Sequence, residues 1–259
     1  MAAELDTTHE MSFINDNDNV EKFLYRFTLF SLSAYVKKRG LLPEKAFRKA
    51  RIEGHDFWLF DKEEGSDAEK FHYSVVALTQ LFRKRTISGL TLITYDDKTK
   101  DVIDMLHIDY ILPDNSDVST TMSNSSTDNK ESALKQLYKI AAMGGGLADV
   151  ERLAKNPFKK MPFITVNYKP VQTDEVPLCY VPATPERQIY NLPRDMETFL
   201  VATLDAGDGN QVVVTYETNA FFQPHIEDIL TNAYAIGNRA SLNTVIPFEP
   251  FMASPLVRN

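Results

Sequence analysis

The side chains best suited to chemistry in this sequence are one cysteine and five histidines. A cysteine thiolate beside a histidine base could act as a nucleophile, and the same residue types could bind zinc. No metal-ligand spacing relates Cys179 to the histidines or the histidines to one another; these are His9, His55, His72, His107 and His225. A lone cysteine is more often a small buried hydrophobe. The pattern therefore favours a structural cysteine, while a catalytic pair with a distant histidine stays open.

Two further features invite a catalytic interpretation. His107 and Asp109 alternate with apolar residues, so they would share one face of a strand. They could form an acid–base pair, but the solvated side of a half-buried hairpin is the favoured interpretation. The glycines at 144–146 lack the preceding strand and the following Lys-Ser or Lys-Thr pair of a phosphate loop. We interpret them as a helix break or a flexible hinge.

The amino-acid composition argues against several classes of protein. The chain has 259 residues, 43% of them hydrophobic, and a net charge of −8. That acidic balance argues against a mainly electrostatic grip on nucleic acid. The polar start does not resemble a signal peptide, and no apolar run approaches the roughly 20 residues that span a bilayer. A single cysteine excludes an internal disulfide framework and fits a reducing compartment.

Apolar periodicity predicts three main helices. The first begins after Asn19 and is apolar nearly all round, with Gly40 as its C-terminal cap. Pro43 is expected to open a helical turn over Glu44 to Arg48. A second helix is predicted near Glu69 to Arg85, and a third over Glu131 to Met143 with a helical spacing that resumes after the glycines.

Alternation predicts the strands. His55 to Asp61 is a short apolar strand, and Leu90 to Tyr95 with Val102 to Leu112 forms a hairpin. Phe163 to Lys169 is another strand, and Phe199 to Leu204 with Gln211 to Tyr216 flanks a turn. A short helix is possible at His225 to Tyr234, whereas Asp114 to Lys130 is expected to be a mobile loop. The order predicts an α+β fold on an antiparallel sheet, whose edge could accept an extended peptide.

The stretch SLSAYVKKRGLLPEKAF resembles the start of the HORMA domain of meiotic chromosome-axis proteins. The residues that carry the likeness are Tyr35, Arg39, Gly40, Pro43, Glu44 and Phe47. The order of helices, hairpin and strand that follows also matches, and QIYNLPRDMETFLVATL (188–204) is similar to the start of the family's C-terminal "safety belt", in the style of nematode members. The resemblance runs from about Asn19 to about Thr218.

The sequence also departs from the family pattern. The insert at 114–130 and the glycine run lengthen the region of the third helix. The small-residue and histidine signature of the second belt strand is missing, with QVVVTYETNAF as the best match. No zinc-binding or winged-helix region follows.

The resemblance implies a HORMA fold, with three helices packed on an antiparallel sheet and a C-terminal safety-belt segment. A disordered N-terminal segment is expected over residues 1–18 and the HORMA domain over 19–240. The core would cover about 19–184 and the belt about 185–240. Residues 241–259 would be a tail or the end of the belt, although their spaced apolar residues could also serve as a closure motif.

The implied function is a non-enzymatic adaptor of the meiotic chromosome axis, in the nucleus. It would bind closure-motif peptides of other axis HORMA proteins or cohesin-associated proteins, and so support homologue pairing, synapsis, recombination and segregation. Self-association is possible, and chromatin contact would be indirect. No enzymatic activity, cofactor, metal, membrane or small-molecule substrate is expected. The alternatives are a HORMA adaptor of the spindle checkpoint, translesion repair or autophagy, or an enzyme built on Cys179 or His107.

The resemblance also suggests where a peptide would bind. The strand around residues 164–168 is the candidate edge, with the third helix beside it and the belt strands across it. The candidate peptide-binding residues are Tyr138, Ala142, Ile164, Thr165, Val166, Asn167, Tyr168, Phe199, Val201, Val213 and Thr215.

Overall fold

The computed structural model describes residues 10–13, 19–63, 65–113, 126–153, 158–169, 177, 179–182, 184, 188–192, 194–207 and 209–240. The helices are α1 (Val20–Arg39), α2 (Asp67–Ala77), α3 (Thr79–Arg83), α4 (Ser126–Arg152) and α5 (Ile226–Arg239). The strands are β1 (Glu10–Met11), β2 (Phe47–Ile52), β3 (His55–Phe60), β4 (Ile87–Asp96), β5 (Val102–Ile111), β6 (Lys160–Tyr168), β7 (Glu197–Asp205) and β8 (Gln211–Thr218).

A five-stranded antiparallel sheet forms the centre of the molecule. Its strand order is β6-β4-β5-β8-β7. The predicted hairpin is its middle, because β4 and β5 pair from Gly89 opposite Asp109 to Tyr95 opposite Val102. Since β6 and β7 lie at opposite edges, the chain between them has to cross the sheet. We call residues 169–196 the crossing segment.

The helices cover one face of this sheet. Helix α1 is buried on nearly every side, as its apolar residues predicted, and it packs against α4. The Asn19 side chain accepts a hydrogen bond from the Lys22 amide at one end, and Gly40 ends the helix at φ 68°. Helix α5 packs on the other side of α4. The predicted α+β class is therefore confirmed, and α5 covers the region where a short helix was expected beside the three main ones. None of the helices in the described ranges combines the length and apolar character needed to cross a membrane.

The predicted helical turn over Glu44 to Arg48 is wrong beyond its first residues. A 3₁₀ turn covers Glu44–Ala46, and β2 then pairs with β3. Ala50 and Ile52 are fully buried, whereas Lys49 and Arg51 are exposed. Buried and exposed residues therefore alternate with the period of a strand. The charged residues at 48, 49 and 51 obscure this pattern in the sequence.

The disorder that was predicted for the N-terminal segment is wrong for residues 10–13, which are ordered. Strand β1 pairs in parallel with β2, and the Phe13 backbone amide donates to the Glu53 carboxylate over 2.8 Å. The Phe13 ring is fully buried against Phe23, Phe27 and Phe30. Strand pairing, the hydrogen bond to Glu53 and the buried Phe13 ring therefore hold this segment together. Residues 1–9, 14–18 and the 241–259 tail lie outside the described residues, and the domain limits stay a prediction.

Two helix boundaries also differ from the predictions. The second predicted helix is divided at Leu78 into α2 and α3. The expected loop at 114–130 is helical from Ser126 onward, and residues 114–125 lie outside the described residues.

The glycine run is neither a break nor a hinge, because α4 continues through it. A Cβ atom on Gly144 would lie 3.0 Å from the backbone oxygen of Tyr35 in α1. A Cβ atom on Gly146 would lie 2.9 Å from a methyl group of Ile229 in α5. These two glycines thus let α4 approach a helix on either side, while Gly145 has no such neighbour within 4 Å.

The glycines give a matched test of this packing. Gly144→Ala should destabilise the fold by about 1–3 kcal/mol, since the extra carbon meets backbone atoms that cannot move aside easily. Gly145→Ala should be neutral or stabilise by up to about 1 kcal/mol, because alanine is the better helix former. Urea denaturation of both variants measures this. Equal effects of the two substitutions would contradict the packing role.

Candidate functional site

Strand β6 leaves one edge of the five-stranded sheet free. Among the described residues it pairs only with β4, from Ile87 opposite Tyr168 to Asp96 opposite Lys160. The outward N–H and C=O groups of such a strand are available to another extended chain. Pro162 lies within β6, and proline within a sheet is confined to edges and bulges.

The opposite edge, β7, is protected in three ways. The pairing of β7 with β8 is irregular between Leu200 and Ala202. The Tyr234 hydroxyl of α5 donates to the backbone oxygen of Leu200 over 2.8 Å. Helix α4 also contacts β7. Bulges and covering helices are the usual protection of a sheet edge, so β6 is the more accessible of the two edges.

The side chains of β6 alternate as predicted. Ile164, Val166 and Tyr168 lie on the helix-bearing face and pack against the main core. Thr165 and Asn167 lie on the helix-free face, opposite Thr91 and Gly89. A strand that pairs with residues 164–168 of β6 would therefore meet apolar groups on one side and polar groups on the other.

The crossing segment is attached on both faces of the sheet. On the helix-bearing side, Tyr180 packs against the main core and its hydroxyl donates to the Ser74 backbone oxygen of α2 over 3.2 Å. Burial raises the pKa of this tyrosine. On the helix-free side, Tyr190 packs against Ile93 and Met105, and the next residue, Asn191, exchanges backbone hydrogen bonds of 2.7 and 2.9 Å with the hairpin residues Lys100 and Val102. Tyr180 and Tyr190 therefore lie on opposite faces of the sheet.

The structure does not bring the other predicted binding residues to β6. Tyr138 is buried in α4 and its hydroxyl lies 3.0 Å from His55 Nδ1 in β3. Ala142 packs against the main core. Phe199, Val201, Val213 and Thr215 lie on β7 and β8. Since β8 is three strands from β6, these positions are roughly 14 Å or more from the free edge.

A buried charge cluster connects the start of β6 to α1, α4 and β5. The Arg39 guanidinium, fully buried at the end of α1, pairs with Asp104 of β5 over 2.9 Å and with Glu151 of α4. Lys160, the first residue of β6, donates to Glu151 and to the Arg39 backbone oxygen, both over 3.0 Å. Burial opposes the charge on Arg39, but Asp104, Tyr35, Tyr216 and Glu151 together outweigh it, so the pKa rises. Arg39 is one of the residues that carry the sequence resemblance, but the sequence does not indicate these partners.

The catalytic alternatives gain no support from the geometry. Cys179 is exposed, beside a shallow pocket lined by Glu69, Lys70, Tyr73 and Ser74, and none of these is a histidine. His107 Nδ1 lies 2.9 Å from the Thr91 hydroxyl on the helix-free face. Within the described ranges, no three His, Cys, Asp or Glu side chains are grouped closely enough to hold a metal ion.

Comparisons with known proteins identify the fold. No protein-family model matches the sequence, and no curated protein matches it. A solved structure of C. elegans HTP-2 bound to the HIM-3 closure motif superposes with a TM-score of 0.62 at 12% identity, over 80% of this chain and 93% of that one. C. elegans HTP-1 with the same motif gives 0.57 at 11%, over 79% and 92%. A chain of the mitotic checkpoint complex gives 0.54 at 16%, over 77% and 98%. At these identities the comparison shows the fold, which is the predicted HORMA fold.

Replacing the buried arginine tests the charge cluster. Arg39→Met should destabilise the protein by about 3–5 kcal/mol, because it leaves the buried Asp104 carboxylate without its partner and Glu151 with Lys160 alone. The control is Lys70→Met, which removes an exposed pair with Asp67 and should change the free energy of unfolding little. Urea denaturation at neutral pH compares them. Similar small effects of both substitutions would show that the cluster contributes little.

Proposed function

We propose that this chain is a non-enzymatic adaptor that captures an extended peptide on the free edge of β6. The observation that carries the proposal is the asymmetry of the sheet. One edge has a bulge and a hydrogen bond from α5, whereas the other is free within the described residues, and Tyr190 of the crossing segment packs on Phe163 of β6. Solved structures with the same fold, HTP-1 and HTP-2, hold closure-motif peptides, which supports this function.

The physical mechanism is strand addition followed by enclosure. Main-chain hydrogen bonds to β6 would supply affinity that depends little on sequence, and alternate side chains would supply specificity. The crossing segment, held at Tyr180 and at Asn191, would pass outside the bound peptide. Release would then require one of these attachments to open first, so dissociation would be slow.

The candidate binding residues divide into two groups under this proposal. Ile164, Thr165, Val166, Asn167 and Tyr168 would contact the peptide directly, because they lie on the free strand. The remaining positions would act indirectly. Tyr138 and Ala142 would keep α4 in place, and Phe199, Val201, Val213 and Thr215 would keep the belt strands paired at the far side of the sheet.

The cellular role that we favour is at the meiotic chromosome axis in the nucleus, with closure motifs of axis or cohesin-associated proteins as partners. It is supported by the sequence resemblance at 31–47 and 188–204 and by the fold shared with HTP-1 and HTP-2. The second candidate is a checkpoint adaptor, which the likeness to a chain of the mitotic checkpoint complex favours. The identity of the captured peptide in meiotic and mitotic extracts separates the two.

Cutting the crossing segment tests enclosure. A protease site inserted between Thr184 and Gln188 is cleaved after a peptide has been captured, and dissociation is followed by fluorescence anisotropy. If the segment encloses the peptide, cleavage should speed release at least tenfold while the fold stays intact. The peptide is one selected from a random twelve-residue library displayed on phage.

The matched control carries the same insertion in the turn between β7 and β8, at Gly207. That turn is far from β6, so cleavage there should leave the dissociation rate unchanged. Equal release rates before and after cleavage at 184–188 would contradict enclosure. Failure of the library to yield any binding peptide would contradict peptide capture itself.

A further inference from the structure

A second, smaller hydrophobic cluster lies on the helix-free face of the sheet. Its buried members are Ile93, Val102 and Met105. Phe163 of β6 and two residues of the crossing segment, Tyr190 and Met196, pack on them and stay partly exposed. The sheet separates this cluster from the main core, so the cluster makes no contribution to the packing of α1 or α4.

Tyr190 places the crossing segment across this face. Its ring centroid lies 5.8 Å from that of Phe163 and 6.5 Å from that of Tyr95. The neighbouring backbone hydrogen bonds of Asn191 hold it there. The tyrosine therefore reaches from the start of β5 over β4 to β6, and its ring ends beside the free edge.

Met161 extends the apolar surface along the same edge. It pairs with Tyr95 and Phe163 pairs with Ile93, so both point to the helix-free face. The Met161 side chain is 39% exposed. We call Met161, Phe163 and Tyr190 the aromatic shelf. Further along the same face of β6, Thr165 and Asn167 are polar.

A strand that pairs with β6 must present side chains in register with this pattern. Residues directly opposite one another on neighbouring strands share a face, with Cβ atoms about 4.5–5.5 Å apart. Two peptide residues, separated by one, would therefore lie opposite Met161 and Phe163 and against Tyr190. The next two residues on that face would lie opposite Thr165 and Asn167.

We propose that the aromatic shelf determines which peptides this chain captures. It selects a peptide with large aliphatic or aromatic side chains at two alternate positions, and with two polar or small residues next to them on the same face, opposite Thr165 and Asn167. Contact with the shelf removes apolar surface of both partners from water, whereas the same side chain opposite Asn167 stays solvated. This proposal rests on the proposed function and specifies its ligand.

A change of selectivity tests the shelf. A random twelve-residue phage library is selected on the full chain and on Met161→Lys, whose fold is checked by its melting temperature. Wild-type protein should enrich peptides with two apolar residues at alternate positions. Met161→Lys should enrich Asp or Glu at one of these positions, because the new ammonium group would lie directly opposite. If Met161 had only a structural role, its replacement by lysine would not change the charge of the residues that are selected in the peptide.

Synthetic peptides quantify the same effect. The best wild-type peptide and its Asp variant at the affected position are titrated against both proteins. The Asp variant should bind the wild-type protein at least tenfold more weakly, and Met161→Lys should reverse the order. Ile111→Lys is the control. Ile111 is also exposed, but it is the last residue of β5 and lies at the end of that strand away from Val102 and Tyr190. This substitution should leave the selection unchanged.

The possible failures are distinguishable. If wild-type protein enriches no peptide, the proposed function is wrong and this inference fails with it. If peptides bind but show no apolar preference, or if Met161→Lys selects the same residues as Ile111→Lys, the shelf is wrong while peptide capture stands.

Discussion

The Arg39 side chain is completely buried, and a guanidinium inside a protein is tolerated only where partners surround it. Asp104 and Glu151 are those partners, one in the middle of the sheet and one near the end of α4. Lys160 joins them from β6, and the Phe222 ring, which follows β8, lies 5.2 Å from the guanidinium carbon. The contacts of one buried charge therefore connect the first helix, the long helix, the hairpin, the free strand and the segment after β8.

This cluster and the glycines of α4 act on the same helix. Gly144 and Gly146 let α4 lie close to both α1 and α5, and Glu151 fixes its last turn against Arg39. With α4 held in this way, α5 lies near β7, where Tyr234 occupies an outward carbonyl of Leu200. The protection of one sheet edge is thus a consequence of helix packing. The other edge has no corresponding helix within the described residues, and under the proposed function this difference would direct an added strand to β6.

Much of the fold could be predicted from local patterns. The α1 helix, its Asn19 and Gly40 caps and the β4–β5 hairpin follow from periodicity and end signals that act over a few residues. Strand β2 could not be recognised, because Arg48, Lys49 and Arg51 hide its alternation. The glycines suggest a break or a hinge, because a sequence shows the low helix propensity of glycine but not the neighbouring helices whose close approach requires a residue without a side chain.

The site was predicted only in part, for a related reason. Alternation within β6 placed Thr165 and Asn167 on the correct face, since that depends on the strand alone. Strand order depends on contacts between distant segments, so the sequence did not show that β8 pairs with β5, far from β6. The packing of Tyr190 on β6 could not be predicted because its segment has no periodicity, although an aromatic residue before the NLPRDMETF stretch is a signal that points to it.

The most direct measurement of the central claim is amide hydrogen exchange of the full chain with and without a selected peptide. Strand addition predicts slower exchange at alternate amides between Lys160 and Tyr168, where outward N–H groups gain partners, while the β7 amides stay unchanged. Protection on β7, or on a helix surface with β6 unaffected, would contradict capture on the free edge.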